Sequence, residues 1–285
     1  MTDTTFQARR AAFRALHESG CFVIPNPWDV GSARYLQHLG FPALATTSAG
    51  FAFSAGLPDS DAAVARDQIL ANIAQIVAAV DVPVSADFSS GYGHRPTELA
   101  ESVRRCVATG VAGLSIEDAS GTRDKPLFEL SAAVDRVQAA REAIDQSGGE
   151  VLLIARAECY HVGHPDPLRE SIRRLQAYAE AGADVLFAPG PQTREEISAL
   201  VEAVQPKPFN LLVVRDLGLD VSDIAALGVR RISVGGALAL AGWTGFTRAA
   251  QALRASGSFS GFADLTPYAE INQLFAADLR ARRAR

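Results

Sequence analysis

Eight short apolar runs alternate with longer segments of helical periodicity along this chain. That alternation predicts parallel strands joined by right-handed helical crossovers. The strands read near residues 22–25, 43–47, 83–87, 112–116, 151–156, 184–188, 208–213 and 231–234. Helices fill the gaps, near 30–39, 61–79, 97–109, 131–146, 167–181, 193–204, 221–227 and 237–255. The eight-fold count favours a closed (β/α)8 TIM barrel over an open doubly wound sheet. The 285 residues suit one such barrel, so a single domain over 1–285 is expected, with residues 264–285 as a helical extension.

The joints between helices and strands are legible too. Leu39-Gly40-Phe41-Pro42, Thr109-Gly110-Val111-Ala112, Ala181-Gly182-Ala183-Asp184 and Leu227-Gly228-Val229-Arg230 share one pattern. In each, the glycine is expected to end a helix in the left-handed conformation before a buried strand begins. Pro58-Asp59-Ser60-Asp61 and Pro96-Thr97-Glu98 read as helix N-caps, and Thr193 to Glu196 as a capping box.

Composition narrows the class. With 48% hydrophobic residues the chain can bury a large core, and nothing suggests disorder or a coiled coil. The formal charge, 27 − 32 = −5, argues against a nucleic-acid binder, despite the arginines at 280, 282, 283 and 285. No apolar stretch is long enough to span a bilayer. The polar start, Met1-Thr2-Asp3-Thr4-Thr5, has no signal-peptide core. Cys21, Cys106 and Cys159 form neither a disulfide framework nor a CxxC site. The expectation is a reduced cytoplasmic enzyme. Cys106 reads as core, and Cys159 lies near the strand ends, where a reactive role stays open.

Polar residues stand just past several strands. Ser48 follows Ala43 to Thr47, Asp87 follows Pro83 to Ala86, and Glu117 follows Ala112 to Ile116. Arg156 follows Val151 to Ala155, and Asn210 follows Lys207 to Phe209. In a barrel, all five meet at the C-terminal mouth, where TIM-barrel chemistry takes place. Asp87 and Glu117, on adjacent strands, make a hard-oxygen site suited to Mg²⁺, with Mn²⁺ as a substitute. Arg156 must be paired inside a barrel, by Glu117 or Glu158, or by a substrate carboxylate or developing oxyanion. Thr46, Thr47, Ser48, Ala49 and Gly50 offer hydroxyls and N–H groups that can hold a carboxylate. Gly235-Gly236 reads equally as a phosphate pocket or as close packing.

Taken together the motifs resemble the isocitrate lyase/phosphoenolpyruvate mutase superfamily, from about Phe13 to Phe259. The matching stretches are Asn26-Pro27-Trp28-Asp29 with Ser32-Ala33-Arg34, Thr47-Ser48-Ala49-Gly50, Gly56-Leu57-Pro58-Asp59, and Ala86-Asp87 to Gly91-Tyr92-Gly93. Ser115-Ile116-Glu117-Asp118, Ala155-Arg156 and Pro208-Phe209-Asn210 complete the set. The resemblance implies a barrel whose C-terminal helix is swapped between subunits of a homodimer or homotetramer. It implies Asp87 as direct metal ligand, with Asp59 and Glu117 holding the metal through waters. Thr46, Ser48, Ala49 and Gly50 would bind a substrate carboxylate, Arg156 would stabilise an enolate oxygen, and Asn210 would position the substrate.

Two departures stand out. Ser89 occupies the place of a second acid near the metal. The loop Ala119 to Leu127 has neither the general-acid cysteine of the lyases nor the asparagine of the mutase and hydrolase branches, although Arg123 and Lys125 can close over an anion. A proton donor is then needed nearby, from Tyr92, Tyr160 or His161. The expected activity is C–C cleavage or decarboxylation of a small α-oxo or α-hydroxy di-acid. P–C chemistry and a non-catalytic oxo-acid binder are the alternatives.

Overall fold

The computed structural model describes residues 3–284; Met1, Thr2 and Arg285, from the polar start and the arginine-rich end, lie outside the described residues. Among the described residues, eight strands form one parallel sheet. They are β1 (Phe22–Ile24), β2 (Leu44–Ala45), β3 (Val84–Asp87), β4 (Gly113–Glu117), β5 (Leu152–Arg156), β6 (Val185–Phe187), β7 (Phe209–Leu212) and β8 (Arg231–Ser233). Their order, β1-β8-β7-β6-β5-β4-β3-β2, is that of a (β/α)8 TIM barrel. Between β1 and β2, the Ala45 N–H donates to the Pro25 carbonyl at 3.1 Å.

Successive strand residues face opposite sides, so each strand feeds two cores. Leu152, Ile154, Val185, Phe187, Phe22 and Ile24 fill the barrel interior. Leu153, Ala155, Leu186, Leu211 and Ile232 pack outward against the helices. Parallel registration then sets one layer of inward residues. Glu117 pairs with Arg156, Arg156 with Phe187, Phe187 with Asn210, and Asn210 with Arg231.

Around the barrel run α1 (Asp3–Leu16), α2 (Val30–His38), α3 (Ser48–Ser54), α4 (Arg66–Ala79), α5 (Pro96–Ala108), α6 (Leu130–Gln146), α7 (Pro167–Glu180), α8 (Arg194–Val204) and α9 (Val221–Ala226). The glycines at 40, 110, 182 and 228 all have positive φ, as the joint pattern predicts. Thr193 caps α8 in the expected capping box. Two helices go beyond the expected set. α1 sends Phe13 into the interior core, where a Cβ on Gly113 would lie 2.7 Å from the ring. α3 forms directly after β2. The helix expected over 61–79 begins only at Arg66, where Gln68 accepts from the Ala65 N–H at 3.0 Å. Residues 57–65 therefore form turns, and Asp59 is freed from a capping role.

The chain divides into two compact units, Met1–Ala237 and Leu238–Arg285. The second contains most of α10 (Ala237–Ser256) and all of α11 (Tyr268–Arg283), joined through a short 3₁₀ turn at Ser260–Phe262. Large exposed apolar side chains concentrate in it, among them Trp243, Phe246, Phe259, Leu265 and Tyr268. Among the described residues no helix is long and apolar enough to cross a membrane.

Candidate active site

The mouth of the barrel opens into a cavity of about 1000 Å³ lined by Ser48, Asp59, Ser89, Tyr92, Glu117, Arg156, Glu158 and His161, among others. Arg156, at the end of β5, is its centre of charge. Its Nη1 lies 3.3 Å from Glu117 Oε2 and 3.7 Å from Asp87 Oδ1, and its Nε contacts Glu158 Oε1. The guanidinium also sits 5.1 Å from the Phe187 ring centroid. Burial alone would lower the Arg156 pKa, but the carboxylates of Glu158, Glu117 and Asp87 outweigh it and push it up. The arginine is therefore a fixed cation, paired by three acids.

Those acids are not equivalent. Burial raises the Glu117 pKa well above the ordinary carboxylate value; the Glu158 and Asp87 charges add to this and Arg156 opposes it. Glu158 goes the other way. Burial favours its neutral form, yet Arg156 and a hydrogen bond from His161 hold its pKa below the ordinary value. Such divergence between neighbouring acids is what acid–base chemistry uses. Asp59, in the turn after α3, is raised by burial and by Asp87, and its hydrogen bond to Ser48 opposes this. Asp61, two residues on, accepts a hydrogen bond from the Ser90 hydroxyl.

Backbone and hydroxyl groups position Asp87. Its N–H donates to Thr46 Oγ1 at 2.9 Å, and its Oδ2 accepts from the Ser48 N–H at 2.9 Å. The Thr47 side chain caps α3 through the Gly50 N–H at 3.2 Å. Thr46 is fully buried, and the structure uses its hydroxyl to orient Asp87. Asn210 is also fully buried in the inward layer, with Nδ2 donating to Ser233 Oγ at 3.0 Å and Oδ1 left without a partner. Ser48 lines the cavity; Thr46, Ala49, Gly50, Asp87 and Asn210 do not, Asp87 lying behind it against Arg156. Ser89 and Tyr92 both adopt positive φ, +47 and +55. Among the described residues no three His, Cys, Asp or Glu side chains are grouped as a ready-made metal cage.

Other residues singled out from the sequence have structural roles. Asp118 faces away from Glu117: its Oδ1 accepts from the Glu158 N–H at 2.8 Å, and its Oδ2 from the Tyr178 hydroxyl at 2.6 Å and Arg174 Nη1 at 3.0 Å. Cys159 is fully buried, and burial pushes its thiol up to about 11, so it is not a reactive thiol. Gly235 belongs to a packed turn, because Asn26 Oδ1 takes the Val234 and Gly235 N–H groups, each at 2.9 Å. Loop 119–127 closes on itself through the Ala119–Leu127 bridge and the Thr122 hydroxyl, which donates to the Lys125 carbonyl at 2.9 Å. The Tyr160 hydroxyl is directed to Glu196, at 3.4 Å.

Three contributors escaped the sequence reading. Arg136 of α6 clamps loop 89–94 by donating to the carbonyls of Ser90, Gly93 and His94. Glu158 was considered only as a partner of Arg156, yet it also holds His161. Arg231 sits 5% exposed inside the barrel, with Nε and Nη1 unpartnered. Burial brings its pKa down to about 10, opposed by the Asp87 charge. A second arginine inside an apolar run, Val229-Arg230-Arg231-Ile232, was the available signal.

The sequence matches the phosphoenolpyruvate phosphomutase family over residues 13–254. A solved structure of a Burkholderia cenocepacia J2315 protein, provisionally described as a lyase/mutase, superposes with a TM-score of 0.91 at 45% identity, covering 96% of this chain and 98% of that one. An uncharacterized protein of Mycobacterium tuberculosis (strain ATCC 25618 / H37Rv) is 34% identical over 91% of this chain and 94% of its own length. The oxaloacetate decarboxylase of Bradyrhizobium sp. (strain ORS 278) is 31% identical over 81% of this chain and 78% of its own. With its eight-stranded barrel and its mouth of paired acids around Arg156, this chain belongs to the phosphoenolpyruvate phosphomutase family, within the isocitrate lyase/phosphoenolpyruvate mutase superfamily.

Proposed function

We propose that this chain is a Mg²⁺-dependent lyase that cleaves a C–C bond of a small α-oxo or α-hydroxy di-acid, or decarboxylates it, through an enolate-like intermediate. The observation that carries the reading is Arg156, held among Asp87, Glu117 and Glu158 beside the cavity. A planar fork fixed there can donate to an oxygen that gains negative charge as the bond breaks, the electrostatic contribution that usually dominates catalysis. Likeness to an oxaloacetate decarboxylase supports the substrate class.

The donor set fits a hard divalent cation. Asp59 and Glu117 each have their proton affinity raised in part by neighbouring acids, a repulsion that a bound cation would relieve. Asp87 would be the direct ligand, and Asp59 and Glu117 would act through waters, in keeping with the few protein carboxylates Mg²⁺ takes. When bound, the ion would polarise the α-oxo group. Ser89 adds no charge, since a hydroxyl stays neutral where a carboxylate would be ionised. The Ser48 N–H orients Asp87, and Asn210 supports the floor through Ser233. We further propose that copies associate through residues 264–285 and the exposed apolar side chains of the second unit. The self-bonded loop 119–127, without a cysteine or an asparagine, favours as second reading a binder without turnover.

Calorimetric titration of oxalate with and without Mg²⁺ tests the site. Binding that needs the metal and vanishes in Asp87→Ala supports it. Unchanged binding in that variant would refute it.

A further inference from the structure

Resting on the enolate reading, we propose that His161, oriented by Glu158, is the acid–base group that moves the proton at the enolate carbon. His161 lines the cavity and its Nδ1 lies 2.9 Å from Glu158 Oε2. Glu158 is 3% exposed and its other oxygen contacts Arg156 Nε, so one buried carboxylate joins the enolate-stabilising cation to the imidazole. An ionised carboxylate only accepts hydrogen bonds. The proton between the two must therefore sit on Nδ1, which leaves Nε2 to take up or release the working proton. The low proton affinity of Glu158 agrees with this tautomer.

The turn bearing His161 is stiff. Val162 N–H donates to the Glu158 carbonyl at 3.0 Å, and His164 N–H to the Cys159 carbonyl at 2.9 Å. The Glu158 N–H is tied to Asp118 at 2.8 Å. Next to the turn, Gly190 has φ +123, and a Cβ there would lie 2.3 Å from Tyr160 Cβ. Such bracing is what a proton-transfer group needs. The other two candidates are less free. The Tyr160 hydroxyl engages Glu196, and burial pushes the Tyr92 hydroxyl up, so it holds its proton more tightly.

The step balances. Protonated His161 gives its Nε2 proton to the enolate carbon, whose electron pair forms the new C–H bond while the C–O⁻ becomes C=O. Neutral imidazole remains, its Nδ1–H still on Glu158, and solvent restores the Nε2 proton. Run backwards, His161 removes a proton from the methyl group of a 2-oxo acid.

Pyruvate with Mg²⁺ in D₂O is the probe, with exchange of its methyl protons followed by NMR. Wild-type protein should catalyse exchange, and His161→Gln should slow it on the order of 100-fold while oxalate binding stays unchanged. Added imidazole should restore part of the rate. Exchange in His161→Gln at the wild-type rate, or no exchange in the wild type, would overturn the proposal. Loss of Asp87-dependent oxalate binding in the wild type would separately sink the reading beneath it.

Discussion

Replacing Asp118 with alanine should destabilise the barrel by about 3–5 kcal/mol, the usual cost of leaving a buried ion pair without one partner. The bonds themselves give a similar sum. Asp118 is 3% exposed and accepts from the Glu158 N–H, the Tyr178 hydroxyl and Arg174. Two neutral donors at about 1 kcal/mol each and one charged donor at about 1.5–3 kcal/mol reach the same range. Arg174 would keep Glu170 at 2.8 Å and the Phe128 carbonyl at 2.9 Å, which holds the effect toward the lower end. For a unit of this size the melting temperature should fall by roughly 6–20 °C. Thermal and urea unfolding would read it, with an unchanged urea slope marking loss of stability rather than a changed denatured state. Tyr178→Phe should cost about 1 kcal/mol and be non-additive with Asp118→Ala. An Asp118→Ala variant within 1 kcal/mol of wild type would refute the assignment of Asp118 as a strut.

The neighbouring acids should respond oppositely to pH. The Glu117 pKa is raised by burial, so the stability it contributes is complete below its unfolded value and lost as pH rises through the folded value. Without added metal, Glu117→Gln should therefore gain stability relative to wild type as pH rises, and parallel melting profiles would contradict this. The Glu158 pKa is lowered, so its contribution is present above the unfolded value and lost as pH falls through the folded one. Glu158→Gln should be less stable than wild type at neutral pH, the gap closing in acid; a pH-independent gap would count against the ion pair. Cys159 should resist iodoacetamide in folded protein at neutral pH, its thiol pushed up to about 11; rapid labelling there would show that the turn opens. Sedimentation should show at least a dimer, and a compact monomer would contradict association through residues 264–285.

Much of the barrel was legible because its strands are buried on both faces. Leu152-Leu153-Ile154 reads as one apolar run, since alternate residues serve the interior and the helix layer. The polar residues closing such runs, Asp87, Glu117 and Arg156, were visible by contrast. What escaped depends on closure in three dimensions. Phe13 is an ordinary aromatic in the sequence and becomes interior packing only when α1 meets the barrel. Residues 61–65 read as helix because their composition permits it, but α4 takes its cap at Ala65. Strand alternation divides Glu117 from Asp118, sending one acid to the mouth and the other to α7. The link from Glu158 to His161 arises from a turn beyond β5 that periodicity cannot reveal.

The most direct test of the central claim is a proton-NMR time course with Mg²⁺ and oxaloacetate, 2-methylisocitrate, 2,3-dimethylmalate, phosphonopyruvate and 2-oxoglutarate in turn, each beside Asp87→Ala. The account predicts a C–C cleavage or decarboxylation product from at least one di-acid, absent in the variant. Turnover that persists in Asp87→Ala, or P–C cleavage alone, would contradict it.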